Sequence, residues 1–382
     1  MKNPAIVVVT YNRLASFKRL IGSILNAKYT TDTIPLIISI DYHEANLPLI
    51  QFANAIVWEH GELVVITHEE NIGLKNHILK CGDLVNQYEN IIVLEDDLFV
   101  SPYFYQYSLD SLRFYENDTQ IAGISLYSYE KSEGTLDSFK PIYSTYDTYF
   151  LQFPSSWGQI WTMCQWHEFI TWYDLHKLNT DYRNYLPKYI ADWPKTSWKK
   201  YFAAYIVETN KYFVYPKVGL STNFGEVGQH YPEKTNIIQT DLLHYDLAFR
   251  FEAFGAMSLR YDSTFELTYD SLVLLQDKFI QQPKFILDFY DLKPIKGSDL
   301  VMTQLPSSNP ILTFSNSMQP LINNLIYEIE GAGITLTKAQ DILQEKEVFE
   351  KKLKKQTFGT RLKYKCIKWL KFSYHKILIK TT

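Results

Sequence analysis

Cysteine is scarce, at three in 382 residues. So low and odd a count excludes a disulfide scaffold and a four-cysteine zinc site, and suits a reducing compartment. Long apolar runs are missing too. The first, Ala5 to Val9, stops at Thr10-Tyr11-Asn12-Arg13. A signal-peptide core takes ~7–15 apolar residues and a spanning helix ~20, so the chain reads as cytoplasmic. No GxGxxG follows that run, which speaks against a dinucleotide oxidoreductase, and no HExxH or Cys/His spacing supports zinc. A serine nucleophile elbow is also absent.

What is present is ample apolar material. Hydrophobic residues make up 46% of the chain, enough for a large core. At ~150 residues per domain the length predicts two or three domains. Aromatics reach 16%, with 29 Tyr and 23 Phe. They serve a core or sugar-stacking platforms, and composition by itself speaks for the core.

The net charge of −4 hides an asymmetry. Residues 351–380 hold eleven Lys/Arg and no acid, leaving 27 basic residues against 42 acidic in the rest. A basic tail on an acidic body points to an anionic partner. Bulky apolar residues interleave with these cations, Trp369 and Phe372 among them, which suits a helix lying in a membrane interface. The alternative is a packed C-terminal helix with a solvated basic face. Nothing elsewhere supports nucleic acid.

Ala5–Val9, Pro35–Ile40, Leu63–Thr67 and Ile91–Leu94 read as buried parallel strands. Helical patterns separate them at Ser16–Leu25, Leu49–Ile56 and Asn76–Leu84, and another follows at Pro102–Tyr115. Such alternation predicts an α/β layered sheet with right-handed crossovers and ligands at the strands' carboxyl ends. Later, Trp161–Asp174 and Trp198–Glu208 look helical, Tyr212–Pro216 reads as a strand and Ser221–Tyr231 as a loop. Short strand-like runs between Lys284 and Thr337 predict a small α+β module.

Three polar signals fall at strand ends. Glu95-Asp96-Asp97 is the strongest, because three carboxylates between apolar runs need a compensating charge or a raised pKa. Carboxylate oxygens suit Mg²⁺ or Mn²⁺, whose shell a diphosphate can complete. Thr10–Arg13 opens a helix whose free N–H groups, with Arg13, suit an anion. Asp41 either accepts from a base or ribose, or caps the following segment.

Val-Val-Thr-Tyr-Asn-Arg13, Ile-Ser-Ile-Asp41 and Ile-Val-Leu-Glu-Asp-Asp97-Leu-Phe-Val-Ser-Pro-Tyr-Phe104 resemble nucleotide-sugar glycosyltransferases of the GT-A fold. The opening is similar to family 2. The segment from Ile91 to Phe104 is similar to animal N-acetylglucosaminyltransferase I and its bacterial relatives, and the resemblance as a whole covers residues 4 to 235. The resemblance implies a mixed, mostly parallel Rossmann-like sheet with flanking helices. It makes Asp97 the ligand of Mn²⁺ or Mg²⁺, sets Asp96 beside the ribose and diphosphate, and puts Glu95 beside the donor sugar. Thr10 lies in the nucleotide turn, and Arg13 and Asp41 hold the uracil and ribose side. His77 matches a histidine near the nucleotide, against the alternative of a surface helix residue. Ser155-Ser156-Trp157-Gly158 resembles the acceptor floor, and Asn223 to His230, with Gly228, the loop that closes over the donor.

One departure bears on mechanism. Where the family's Trp-Asp-Asp-Trp helix start supplies the base, this chain reads Trp198-Lys199-Lys200-Tyr201. Asp192 and Glu226 are the replacement candidates, with neither as a third possibility, and the two lysines are candidate phosphate contacts.

The expected division is a glycosyltransferase domain over 1–235, an accessory α+β region over 236–345 and a basic amphipathic helix over 346–382. The expected activity moves a sugar, GlcNAc or a related hexose, from a UDP-sugar to a glycan or lipid-linked glycan with inversion. Bacterial surface polysaccharide assembly at the inner membrane face is the expected setting. The rivals are a sugar nucleotidyltransferase, which lacks its glycine-rich loop here, and a non-catalytic glycan-binding protein on the same fold.

Overall fold

The computed structural model describes residues 2–179, 181–226, 235–344 and 346. The expected basic helix over 346–382 and Gly228 in the glycine loop lie outside the described residues, save Lys346 itself.

The amino-terminal half alternates as its apolar runs require. β1 (Ala5–Thr10), α1 (Leu14–Leu25), β2 (Leu36–Ile40), α2 (Leu47–Asn54), β3 (Leu63–Thr67), α3 (Gly73–Gly82), α4 (Val85–Tyr88) and β4 (Asn90–Glu95) follow in order. β1 is buried along its whole length, as a strand covered on both faces must be. Next come β5 (Leu98–Val100), α5 (Phe104–Phe114), β6 (Ile121–Ser125), β7 (Thr148–Leu151) and β8 (Gln159–Thr162). Then follow α6 (Met163–His176), α7 (Lys188–Ala191), α8 (Trp198–Glu208), β9 (Tyr212–Pro216), β10 (Ser221–Asn223) and β11 (Arg260–Tyr261).

The sheet order is β11-β7-β9-β6-β8-β4-β1-β2-β3. β3, β2, β1 and β4 run parallel; β8 enters antiparallel between β4 and β6. β6–β9 and β7–β11 are again parallel, and β7–β9 antiparallel. The mixed, mostly parallel sheet with flanking helices is therefore present.

Two segments differ from their sequence reading. Trp161 belongs to β8, and the helix starts two residues later, where Thr162 and Gln165 close a capping box. Ser221–Asn223, read as loop, pairs antiparallel with β5.

The later part adds α9 (Tyr269–Leu275), β12 (Ile286–Leu287), β13 (Leu300–Thr303), β14 (Leu312–Phe314), α10 (Ile322–Ile326) and β15 (Ile334–Lys338). Its strands form a separate four-stranded sheet, β12-β13-β15-β14, while β5 and β10 make a two-stranded one. Phe285, Met302 and Leu336 of this part share one hydrophobic cluster with Val7, Trp161 and Phe213 of the large sheet. The aromatic excess goes mostly into these cores: Trp161, Trp166, Tyr105, Tyr107 and Phe153 are among the largest fully buried side chains.

A buried ion network ties the two sheets. Lys293 meets Asp262 and Glu266, and donates to the Leu287 carbonyl. Glu266 also accepts from Phe289 N at 2.6 Å. Burial pushes Glu266 up to about 7, against the pull of Lys293.

Candidate functional site

β1 and β4 lie side by side and end together, so Thr10–Arg13 and Glu95–Asp97 meet at the carboxyl edge. Asp96 is buried. Thr10 Oγ1 donates to its Oδ2 at 2.8 Å, and Asp96 N donates to Val9 O at 3.1 Å. Arg13 spans both neighbours, donating to Asp96 Oδ1 and, at 3.2 Å, to Asp97 Oδ2. The positive charge that the acidic run requires is thus supplied in part by Arg13. Burial alone draws this guanidinium's pKa down, but Asp96 and Asp97 outweigh it and hold it above its ordinary value. Burial pushes Asp96 up to about 6 against the pull of Arg13. Burial, with Asp97 and Asp96, pushes Glu95 up to about 8.

Asp97 carries the test for a metal. Its Oδ1 is buried and has no hydrogen-bond partner, while Oδ2 is shared with Arg13. An orphaned carboxylate oxygen costs free energy unless something fills it, and a hard divalent cation fits that donor. Among the described residues no three ligating side chains converge into a ready cage. A cation held here would therefore draw its other ligands from outside the protein, as a diphosphate and water provide.

Asp41 is buried and engaged. Oδ1 accepts from Tyr42 N at 2.9 Å and Ile72 N at 3.0 Å, and Oδ2 from Gly73 N at 3.1 Å. It holds the start of α3 rather than the segment that follows it in the chain, and so joins the end of β2 to α3. His77 of α3 is also buried, with Nε2 2.7 Å from Ser39 Oγ, so it is not a surface helix residue. Burial draws its ring down to about 4, against Asp41. It packs against Ser39 of β2, with β1 between that strand and the acidic run on β4.

The two candidate bases are both held by cations. Asp192 is exposed at the end of α7, and Arg183 (3.1 Å) and Lys188 donate to it. The Lys188 bond, first among its influences, keeps it below the usual carboxylate range. Glu226 accepts from Ser16 and takes both arms of Arg19, at 2.6 and 3.0 Å. Those Arg19 bonds hold it at about 2, against burial.

The loop that carries Glu226 is nevertheless fixed to the site. Phe224 N donates to Asp97 O at 3.0 Å. Gly225 has φ +54°, and a Cβ there would come 2.1 Å from Thr235 O. Only glycine permits the Thr235 N to Gly225 O bond of 2.8 Å that closes the loop's base.

The two lysines do different things. Lys200 is buried and donates to Ala191 O (2.7 Å) and Trp193 O (2.9 Å), so it binds the backbone at the end of α7. Lys199 turns to the site, 2.6 Å from Glu133 Oε1 and over the rings of Phe153, Trp193 and Trp157. Its charge reaches Glu95. Trp157 packs edge-on to Tyr127 at 4.6 Å and is partly exposed. Glu133, Tyr129 and Trp193 join this corner without having been marked in the sequence, since only their fold-level neighbours single them out.

No family model matches the chain, and no curated protein matches it in sequence. Among solved structures, the mannosyltransferase PcManGT from Pyrobaculum calidifontis, in complex with GDP-Man and Mn²⁺, is similar at 10% identity over 42% of this chain and 44% of that one, TM-score 0.31. S. aureus TarS 1-349 is similar at 14% identity over 56% and 60%, TM-score 0.32. The same protein with UDP-GlcNAc gives 13% over 39% of each, TM-score 0.28. The chain spans less than two thirds of each of these structures. Likenesses of this size carry no functional argument.

Proposed function

We propose that this chain is a metal-dependent glycosyltransferase that takes a sugar from a nucleotide diphosphate and passes it to a hydroxyl acceptor with inversion. The observation that carries the reading is Asp97: an acid at the carboxyl end of a buried strand, with one oxygen orphaned and the other on Arg13. Asp97 would hold Mn²⁺ or Mg²⁺, which when bound supplies Lewis-acid stabilisation of a departing diphosphate. Arg13 and the start of α1 supply further positive potential for the phosphates. Thr10 and Asp96 fix Arg13, while Asp41 and His77 brace the nucleoside side through α3 and β2. Glu95 and Trp157 face the sugar. The donor is proposed as UDP-linked GlcNAc or a related hexose, and the acceptor as a glycan or lipid-linked glycan of bacterial surface polysaccharide assembly.

The division at 235 is proposed as one of function, because Arg260–Tyr261 still adds to the large sheet. Among the described residues no helix is long and apolar enough to cross a membrane. The basic segment 346–382 is proposed to dock on an anionic membrane face. Equal retention on anionic liposomes by a chain ending near Gln344 would remove that role.

The engagement of Asp192 and Glu226 by cations favours one rival, a non-catalytic glycan-binding protein on this fold. Turnover separates the two, since a non-catalytic protein on this fold would bind UDP with metal and release nothing from a UDP-sugar; calorimetry with UDP tests the metal site that both share. The reading expects binding that needs Mn²⁺ and disappears in Asp97→Asn. Metal-independent binding, or none, defeats it.

A further inference from the structure

Direct displacement at a sugar needs a group to take the acceptor's proton, and in both carboxylates the sequence offers, Asp192 and Glu226, each of the two oxygens is taken by a cation. A third carboxylate stands at the same corner. Glu133 lies in the segment between β6 and β7, and reaches across to the first turn of α8. Its Oε1 accepts from Lys199 Nζ at 2.6 Å and from the Tyr129 hydroxyl at 2.6 Å. Both of those bonds fall on Oε1, and neither uses Oε2. Lys199 stands 4.5 Å from the Phe153 ring centre, 5.4 Å from Trp193 and 5.5 Å from Trp157. Trp157 and Trp193 are partly exposed, and flat aromatic walls of this kind suit the apolar faces of a sugar. The Trp157 carbonyl accepts from Ser221 Oγ at 2.5 Å, and Ser221 opens β10, which pairs with β5 directly after Asp97. Glu133, Lys199, Trp157 and β10 thus connect an aromatic-walled corner to the acidic end of β4.

We propose that Glu133 is the general base of the transfer, with Lys199 and Tyr129 as positioning residues; this rests on the glycosyltransferase reading above. The acceptor oxygen bonds to the anomeric carbon as its hydrogen passes to Glu133 Oε2. The bond from that carbon to the diphosphate oxygen breaks, and its electron pair leaves with the nucleoside diphosphate. The carboxyl then releases its proton to water. The segment between β6 and β7 supplies the base, and Lys199 at the start of α8 holds it.

The test uses the full chain with Mn²⁺ and a panel of UDP-sugars, with water or azide as the nucleophile. Azide has no proton to lose, so it bypasses a base. Glu133→Gln should keep UDP affinity within about threefold and lose on the order of 100-fold in UDP release to water. Glu133→Ala should form glycosyl azide at least ~10 times faster than it hydrolyses donor. The proposal is overturned if either variant hydrolyses donor at the wild-type rate, if water and azide reactions fall together, or if Glu133→Gln loses UDP binding. A wild-type chain inert on every donor fails differently: it removes the transfer reading itself, and Glu133's role with it.

Discussion

Arg19 holds both oxygens of Glu226, at 2.6 and 3.0 Å, while its guanidinium carbon lies 3.7 Å over the Phe224 ring. Phe224 is the residue whose N–H meets the Asp97 carbonyl. Glu226 therefore clamps the loop beside the metal candidate onto α1. Glu226→Gln should cost about 1–2 kcal/mol of stability at pH 7, as loss of a partly buried charged pair does. Because the folded pKa is depressed to about 2, that stabilisation is present above pH ~4.5 and is lost as pH falls toward 2. Melting curves of wild type and variant should converge on acidification. A gap that stays constant to pH 2.5 contradicts the clamp.

His77 titrates in the opposite context. Its folded pKa, about 4, is below the ordinary histidine value, so the unfolded chain binds the proton first. The contribution of neutral His77 is intact above pH ~6.5 and is eroded as pH falls to 4, by up to ~3 kcal/mol for a shift of this size. His77→Gln should show a shallower fall in Tm between pH 6.5 and 4.5 than wild type. Parallel curves would show that His77 charges freely in the folded state.

Lys293→Met strands Asp262 and Glu266 in a buried setting. Removing one partner of such a network costs ~3–5 kcal/mol. The loss should be larger at pH 8 than at pH 5.5, since Glu266 is already pushed up to about 7 with its lysine in place and can be buried neutral in acid. Adding Glu266→Gln should recover part of the loss. Denaturant melts at the two pH values measure both effects, and an equal loss at both contradicts the assignment.

Lys200→Met should lower stability by about 1–3 kcal/mol, because the Ala191 and Trp193 carbonyls lose their donor. Mn²⁺-dependent UDP affinity should stay within about twofold. A tenfold loss of UDP affinity would restore Lys200 as a phosphate contact.

The parallel half of the sheet was legible because Ala5–Val9 and Ile91–Leu94 are unbroken apolar runs, the mark of strands covered on both faces. In the antiparallel half only Tyr212–Pro216 was read as a strand. β6 reads Ile-Ala-Gly-Ile-Ser and β8 Gln-Ile-Trp-Thr, short and mixed enough to pass for loop or helix. The Thr162–Gln165 box was the available signal that the helix begins after Trp161. At the site, Glu95–Asp97 stood out because its chemistry is contiguous in the chain. Asp41 was readable as a cap on the segment after it, but its bonds to Ile72 N and Gly73 N cross about thirty residues and need the fold. The Glu133–Lys199 pair spans 66 positions, and no local pattern joins such residues before the fold does.

The central claim is that Asp97 makes this chain a metal-dependent sugar transferase. The direct measurement is slow hydrolysis across UDP-, GDP- and CMP-sugars, with and without Mn²⁺, for wild type and Asp97→Ala. The account predicts nucleotide release from a UDP-sugar that requires the metal and falls at least ~100-fold in the variant. Release that is indifferent to metal and to Asp97, or no release from any donor, contradicts it.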